Sequence, residues 1–472
     1  MIEIDLGDRL TEQPVEERPL ARAWLANRWV RIAAVLAVLL ATVTAAGVGP
    51  PPLSVATIPA RLGASMVTGT DRIFVIDPVD TSTEPRQQVS AFRLADGALL
   101  WQVRMPVPGP LGGHTLIGHT LVLTSDWGSV APRRTVGVDT ATGAISWLRT
   151  ATYETASASG DILLWVPDTD VGAGGPGWDD SPNGWGVLSA GTLESVAPDT
   201  GAVHWSLPLP AGVVRGYAAP AGSADPGPEG PLPEVAVTRG TTGRIEVRDL
   251  GSGAVVRSAD LPHPPALGSG QWPPQVVGDL LLVPDGPQSL TAYGLDAFDR
   301  RWTIDWDVDR EPWPQPCGPL LCTFRPQGGV RVLDPATGAV RWSDPRWSNL
   351  MPVGAYLLAS SEARPMVAAG LNVLDPATGR VLGDLGSWQV IGRSPGAGAA
   401  PGSGKPADPV RLIGVRIRSD DGRTWVADLD PASGSTRPLA VVPDVSGDCR
   451  VTDGLLVCRQ LSGAIGIWHL PS

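Results

Sequence analysis

Short runs of apolar or alternating residues, each closed by Asp, Pro or Gly, succeed one another along most of this chain. The clearest is Val330-Arg331-Val332-Leu333, patterned as a half-buried or buried strand. Asp334-Pro335-Ala336-Thr337-Gly338 follows it. Pro sets one φ, Gly accepts a left-handed position, and the Asp carboxylate bonds its own backbone, which together make a turn. A second run then ends on Trp342. The pattern predicts a β-hairpin, and one hairpin cannot bury its apolar face alone.

The hairpin repeats. Val138-Asp139-Thr140-Ala141-Thr142-Gly143 leads to Trp147, and Ala197-Pro198-Asp199-Thr200-Gly201 leads to Trp205. Leu374-Asp375-Pro376-Ala377-Thr378-Gly379 copies the first turn almost letter for letter. Looser copies are Leu94-Ala95-Asp96-Gly97 with Trp101, Leu250-Gly251-Ser252-Gly253, Leu295-Asp296-Ala297-Phe298-Asp299 with Trp302, and Asp430-Pro431-Ala432-Ser433-Gly434. Gly338 to Gly379 spans 41 residues and Trp101 to Trp147 spans 46, while longer gaps hold Gly/Pro insertions. A strand-built repeat of ~40–50 residues predicts an all-β propeller of four-stranded blades.

These motifs resemble the repeat of the pyrroloquinoline-quinone-like (PQQ-like) β-propellers, roughly A-x-D-x-x-T-G-x-x-x-W, over about residues 55–470. The resemblance implies that the Trp of one blade docks on the next. Trp101, Trp147, Trp205, Trp302 and Trp342 would dock in this way, while Arg257, Gly383 and Pro438 stand at the corresponding places of weaker repeats. Eight turns predict about eight blades, with seven to nine compatible. Cys449 to Leu470 supplies further strands, which could complete a shared blade with residues 53–58.

The N-terminal part is of another kind. Residues 1–28 mix acids and arginines and read as a disordered cytoplasmic tail. Residues 29–49 contain the uncharged run Ile32 to Val48, long enough to span a bilayer. Arg22, Arg28 and Arg31 precede it and the next cation is Arg61, so the tail is expected inside and the propeller outside. A cleaved signal peptide, with Val43-Thr44-Ala45 as its cleavage site, is the rival reading. Residues 50–54 carry Pro50-Pro51-Pro52, a stiff spacer, and 55–472 form the propeller.

Composition sharpens this. The net charge of −12 argues against nucleic acid as a partner, since that binding rests on clustered cations. Lys405 is the single lysine among 36 basic residues, a bias that points to GC-rich coding and a bacterial, actinobacterial type of chain. The four cysteines fall in two close pairs. With Asp453-Gly454 as a two-residue turn, Cys449 faces Cys458, and with Pro319-Leu320 as the turn, Cys317 faces Cys322. Both pairs are then in bridging register, and two disulfides fit an oxidising exterior. Four free thiols in a cytosolic protein are the alternative. A metal site is poorer, with no histidine near either pair.

Catalytic motifs are sparse. The resemblance includes quinone-dependent dehydrogenases, yet their adjacent-cysteine pair is absent, as is Cys-x-x-Cys-His. Gly172, Gly174 and Gly177 match a dinucleotide pattern by letter only. Asp305, Asp307 and Asp309 alternate as calcium ligands do, but the glycine turn and distal Glu of a calcium loop are missing, so they read as a solvated strand end, and the same holds for Asp168, Asp170, Asp179 and Asp180 in one insertion. His114 and His119 read as turn residues. Trp178 and Trp185, in the insertion Asp168 to Gly191, are the candidate binding surface, and Trp306 and Trp313 also stand outside the repeat frame. The expectation is a non-enzymatic, cofactor-free scaffold, anchored in the membrane and binding an envelope protein. The alternatives are an exported quinone-dependent dehydrogenase, with quinone and calcium in the channel, or a sensor signalling through the tail.

Overall fold

In the computed structural model the first described strand, Ser54–Ile58, pairs with the last, Ile465–His469, so the two ends of the domain lie in one sheet. The structure describes residues 54–471 apart from 79–85, 126–132, 169–189, 219–234, 240–242, 262–274, 287, 308–310, 326–327, 362–368, 394–410 and 418–422. Residues from Ser54 onward form one compact unit. The tail at 1–28, the apolar segment at 29–49 and the spacer up to 53 lie outside the described residues. No helix among the described residues is long and apolar enough to cross a membrane.

Every described element is a strand, and the strands form eight antiparallel sheets. Seven sheets have four strands and one has seven. We number the blades along the chain. Blades 1 to 6 occupy residues 65–108, 111–149, 152–209, 214–260, 275–305 and 315–344. The seven-stranded sheet follows. Its 13-residue strand, Val381–Arg393, pairs with Ala369–Leu374 through its first part and with Leu412–Ile417 through its last. It is thus the outer strand of blade 7 and the inner strand of blade 8. The closing blade has the order Ser54–Ile58, Ile465–His469, Leu455–Gln460, Val445–Thr452 from rim to centre. The eight sheets therefore contain nine four-stranded sets, and the shared blade accounts for the strands after Cys449.

Inner strands of successive blades adjoin, as Ser65–Thr68 does Leu111–Ile117 and Gln315–Cys317 does Asn349–Val353. The inner strand Val445–Thr452 adjoins Leu412–Ile417 of blade 8. On its other side Thr452 Oγ1 donates to Gly69 O at 3.3 Å and the Arg459 guanidinium donates to Ala64 O. The chain thus closes into a β-propeller.

The core lies between blades because strand pleating gives each sheet two apolar faces. Between blades 1 and 2, Phe74, Val89, Ala91 and Met105 meet Leu121, Leu123, Val136 and Val138, all fully buried. Burying such a side chain contributes roughly 1.5–3 kcal/mol. No blade can keep that contribution without both neighbours, which is why the ring closes.

Candidate functional site

The Asp-x-x-Thr-Gly turns join the third and outer strands of a blade, on the same face as the hairpins between first and second strands. Asp139 shows how such a turn is built. Thr142 N donates to Asp139 Oδ1 at 2.8 Å and Gly143 N donates to Asp139 O at 2.9 Å. The Thr142 hydroxyl and then the turn's backbone amides hold the Asp139 carboxyl below its usual range. In Asp334 the Ala336 amide leads and Arg341 adds to it, and in Asp375 the Thr378 hydroxyl leads.

Five turn glycines each receive an indole from the preceding blade. Trp101 lies over Gly143, whose φ is +75°, and a Cβ there would sit 2.6 Å from the ring. Trp147, Trp205, Trp302 and Trp342 lie in the same way over Gly201, Gly253, Gly338 and Gly379. Every indole also donates its N–H to a turn carbonyl: Trp101 to Thr140 O at 2.9 Å, Trp147 to Pro198 O at 2.7 Å, Trp205 to Leu250 O at 3.0 Å, Trp302 to Pro335 O at 2.7 Å and Trp342 to Pro376 O at 2.8 Å. The remaining joints differ. Arg257 Nη1 donates to Leu295 O at 3.4 Å. A Cβ on Gly383 would lie 3.3 Å from Gly434 Cα, and Ala56 of the closing blade abuts Gly97.

Two disulfides cross the hairpins between first and second strands. Cys449–Cys458 has a Cα–Cα distance of 4.1 Å beyond the Asp453-Gly454 turn, with Thr452 opposite Leu455. Cys317–Cys322 has a Cα–Cα distance of 5.8 Å. Its turn is Gly318-Pro319 rather than Pro319-Leu320, because Gly318 takes the left-handed position at φ +67°. Cys317 therefore faces Leu320 and Cys322 faces Gln315, so this bridge is diagonal.

His114 also departs from expectation. It lies within the strand Leu111–Ile117 opposite Leu123, and only His119 is in the turn. Burial, and then the charge of Arg450, hold the His114 imidazole below its usual pKa. Trp306 and Trp313 are buried between blades 5 and 6, a place that the repeat pattern does not assign. Trp178 and Trp185 lie outside the described residues, as do Asp170, Asp179, Asp180, Asp309 and the three glycines of the 172–177 pattern. Among the described residues no cluster of three His, Cys, Asp or Glu side chains could hold a metal.

Four arginines among the described residues stack on indoles. Arg215, on the inner strand of blade 4, lies 4.0 Å from the Trp165 ring and pairs with Glu154 at 2.5 Å. Burial opposes its charge, and the Glu154 carboxylate more than offsets this, leaving Arg215 above its usual pKa. Tyr217 donates to the same carboxylate at 3.2 Å, and burial raises its hydroxyl well above the usual value. Arg331 stacks on Trp306 at 5.5 Å and pairs with Glu311 at 2.7 Å. Arg346 stacks on Trp347 at 4.9 Å and pairs with Asp344 at 2.7 Å.

Arg416 is the fourth. It lies 4.9 Å from the Trp388 ring and 5.8 Å from the Trp425 ring. Strand register brings the two indoles near this guanidinium. Trp388 faces Ala369 of blade 7, and the next residue, Gln389, faces Val415 beside Arg416. Arg416 faces Trp425, and Trp425 faces Val441. Arg416, Trp425 and Val441 thus make one cross-strand row on blade 8, which Trp388 joins from the blade 7 junction through its ring contact with Arg416. The row sits at the end of the blade away from the locking turns. Trp388 is buried, with its N–H donated to Leu385 O at 2.8 Å, whereas Arg416 is exposed and Val441 is 46% exposed. No carboxylate among the described residues pairs with Arg416, and the buried acid of this blade, Asp428, alternates onto the opposite face to meet Arg411 and Arg437. The repeat motifs do not single out this row. Two tryptophans outside the repeat frame, on strands flanking an arginine, are the signal that the sequence offers for it.

No protein-family model matches the chain, and no curated protein matches its sequence. Solved structures align with most of the chain at low identity. BamB from Moraxella catarrhalis aligns over 88% of this chain and 99% of its own at 15% identity, with a TM-score of 0.41. A computationally designed protein, Ika8, aligns over 88% of this chain and 99% of its own at 10% identity, with a TM-score of 0.42. A eukaryotic initiation factor aligns over 85% of this chain and 94% of its own at 13% identity, with a TM-score of 0.49. These likenesses carry nothing about what this chain binds.

Proposed function

We propose that this protein is a PQQ-like, membrane-anchored propeller on the outer side of the membrane, and that it acts as a scaffold binding another envelope protein. The observation that carries the scaffold reading is the blade 8 row. Trp and Arg dominate the energetics of protein interfaces, and here they stand on a sheet held at fixed spacing by its neighbours. Exposed Val441 continues the surface toward the rim. Anchoring and orientation are supported by the uncharged run Ile32 to Val48 behind Arg22, Arg28 and Arg31. The two disulfides fit an oxidising compartment.

The test places a photoreactive residue at Val441 or, separately, at Val340 on the outer strand of blade 6, in the full-length chain in its own cells. The expected result is an envelope protein captured from Val441 and not from Val340. Capture of nothing from Val441, or the same products from both positions, overturns the scaffold reading. The Val441 variant lacking residues 2–20 should capture the same partner, and a partner lost with those residues moves the function to signalling through the tail.

A further inference from the structure

We infer that the Trp388–Arg416–Trp425–Val441 row receives a carboxylate side chain on an extended segment of the partner protein, with Arg416 as the group that binds it. The inference rests on the scaffold reading and adds the chemistry of what is bound. It starts from a comparison within the molecule. Arg215, Arg331 and Arg346 each lie on an indole, and each is matched by an internal carboxylate, Glu154, Glu311 or Asp344. Arg416 lies against two indoles, is exposed, and has no matching carboxylate among the described residues. Stacking against the two rings restricts the guanidinium, so its planar fork of donors is set before an acceptor arrives. That fork suits a carboxylate, which it can bind with two parallel hydrogen bonds.

The neighbours of Arg416 decide between a peptide and a free anion. Strands lie ~4.8 Å apart, so the exposed part of the row, Arg416 to Val441, is about 10 Å long, the reach of about three extended residues. An anion alone would use the guanidinium and leave Trp425 and Val441 uncovered. A segment with an acidic residue beside an apolar one would use all of them. Val441 lies two strands from Arg416, which places the apolar contact toward the outer rim.

The test does not require the partner to be identified. Random-sequence 12-residue peptides are arrayed as matched pairs, one with Asp or Glu at a central position and one with Asn or Gln there, and probed with the full-length protein. Binding is expected for a subset with an apolar residue within three positions of the acid, and its amide twin should bind about tenfold more weakly. R416Q should abolish that difference, and R416K, which keeps charge but lacks the fork, should retain a part of it. The acid–amide contrast on the unaltered protein does not depend on any variant folding. Equal binding of both twins, no binding by any acidic peptide, or discrimination that survives R416Q overturns the inference. Direct binding of inorganic phosphate or of phosphatidylglycerol vesicles with no acidic peptide bound also overturns it, in favour of an anion or lipid headgroup. Partner capture at Val441 together with equal binding of the twins would sink the carboxylate assignment and leave the scaffold reading standing.

Discussion

Arg257 stands where five other blades present a tryptophan, and Phe298 stands where the turn it faces would present a glycine. Arg257 Nη1 donates to Leu295 O at 3.4 Å, and Phe298 takes a left-handed φ of 53° with its amide donating to Gly294 O at 2.9 Å. Gly143 N makes the same bond to Asp139 O at 2.9 Å. The turn geometry is therefore kept while both partners of the lock are changed. The two departures are one event. An indole packs on this turn only when the turn residue has no Cβ, because at Gly143 a Cβ would lie 2.6 Å from Trp101.

R257W alone should therefore destabilise the ring, by about 1–3 kcal/mol as an overpacked substitution does. R257W with F298G should recover most of that loss, with a coupling of about 1–2 kcal/mol between the two sites. Thermal midpoints of the two single variants and the double variant measure it. Additive effects would mean that the joint is not a vacant lock.

The tryptophan locks should dominate stability at their joints. Trp147 is buried and its N–H donates to Pro198 O at 2.7 Å. W147A should cost about 3–5 kcal/mol. W147F keeps most of the packing and loses the hydrogen bond, so it should cost about 1 kcal/mol. G201A should approach the alanine variant rather than the phenylalanine one, because a Cβ at Gly201 would lie 2.6 Å from the Trp147 ring and φ there is +65°. Urea denaturation of the three variants tests the order.

How much of this is legible in the sequence follows from where each feature is encoded. The hairpins are readable because Asp-x-x-Thr-Gly carries its own turn chemistry within five residues, as the Asp139 bonds to Thr142 and Gly143 show. The Gly318-Pro319 turn differs by one residue from the Pro319-Leu320 turn that the sequence suggests. Pro319 in the sequence does not say which neighbour takes the left-handed position, and Gly318 takes it. The Arg416 row is legible only as two off-repeat tryptophans flanking an arginine, because its assembly depends on the register of strand pairs separated in sequence by residues 394–410 and 418–422. His114 is hidden because Gly112 and Gly113 interrupt the apolar pattern of its continuous strand, so the segment reads locally as a turn.

The disulfides should matter unequally. Loop closure gives about 2–3 kcal/mol for bridges closing such short loops. C317A/C322A removes a bridge within blade 6, whose strands are contiguous in sequence. C449A/C458A removes one from the closing blade, which also holds Ser54–Ile58 against Ile465–His469. The second pair should show the larger loss and the earlier proteolytic cleavage near residue 54. Limited proteolysis alongside thermal unfolding distinguishes the pairs, and equal behaviour would remove any special role for the closing blade.

Acid should weaken the ring through its turns. The carboxyls of Asp139, Asp334 and Asp375 are held below their usual values, by the Thr142 hydroxyl, the Ala336 amide and the Thr378 hydroxyl respectively. A carboxyl whose folded pKa is depressed stabilises the fold above its unfolded value, about 3.9 for Asp, and that stabilisation is lost as pH falls through the folded value. These turns should thus contribute a constant amount from neutral pH down to about pH 5 and a falling amount below about pH 4. The triple variant D139N/D334N/D375N keeps a side-chain oxygen able to accept the turn amides but cannot titrate. Its thermal midpoint should be lower at neutral pH and should fall less steeply between about pH 4 and pH 2.5 than that of the unaltered protein. An unchanged slope would assign the acid sensitivity to other groups.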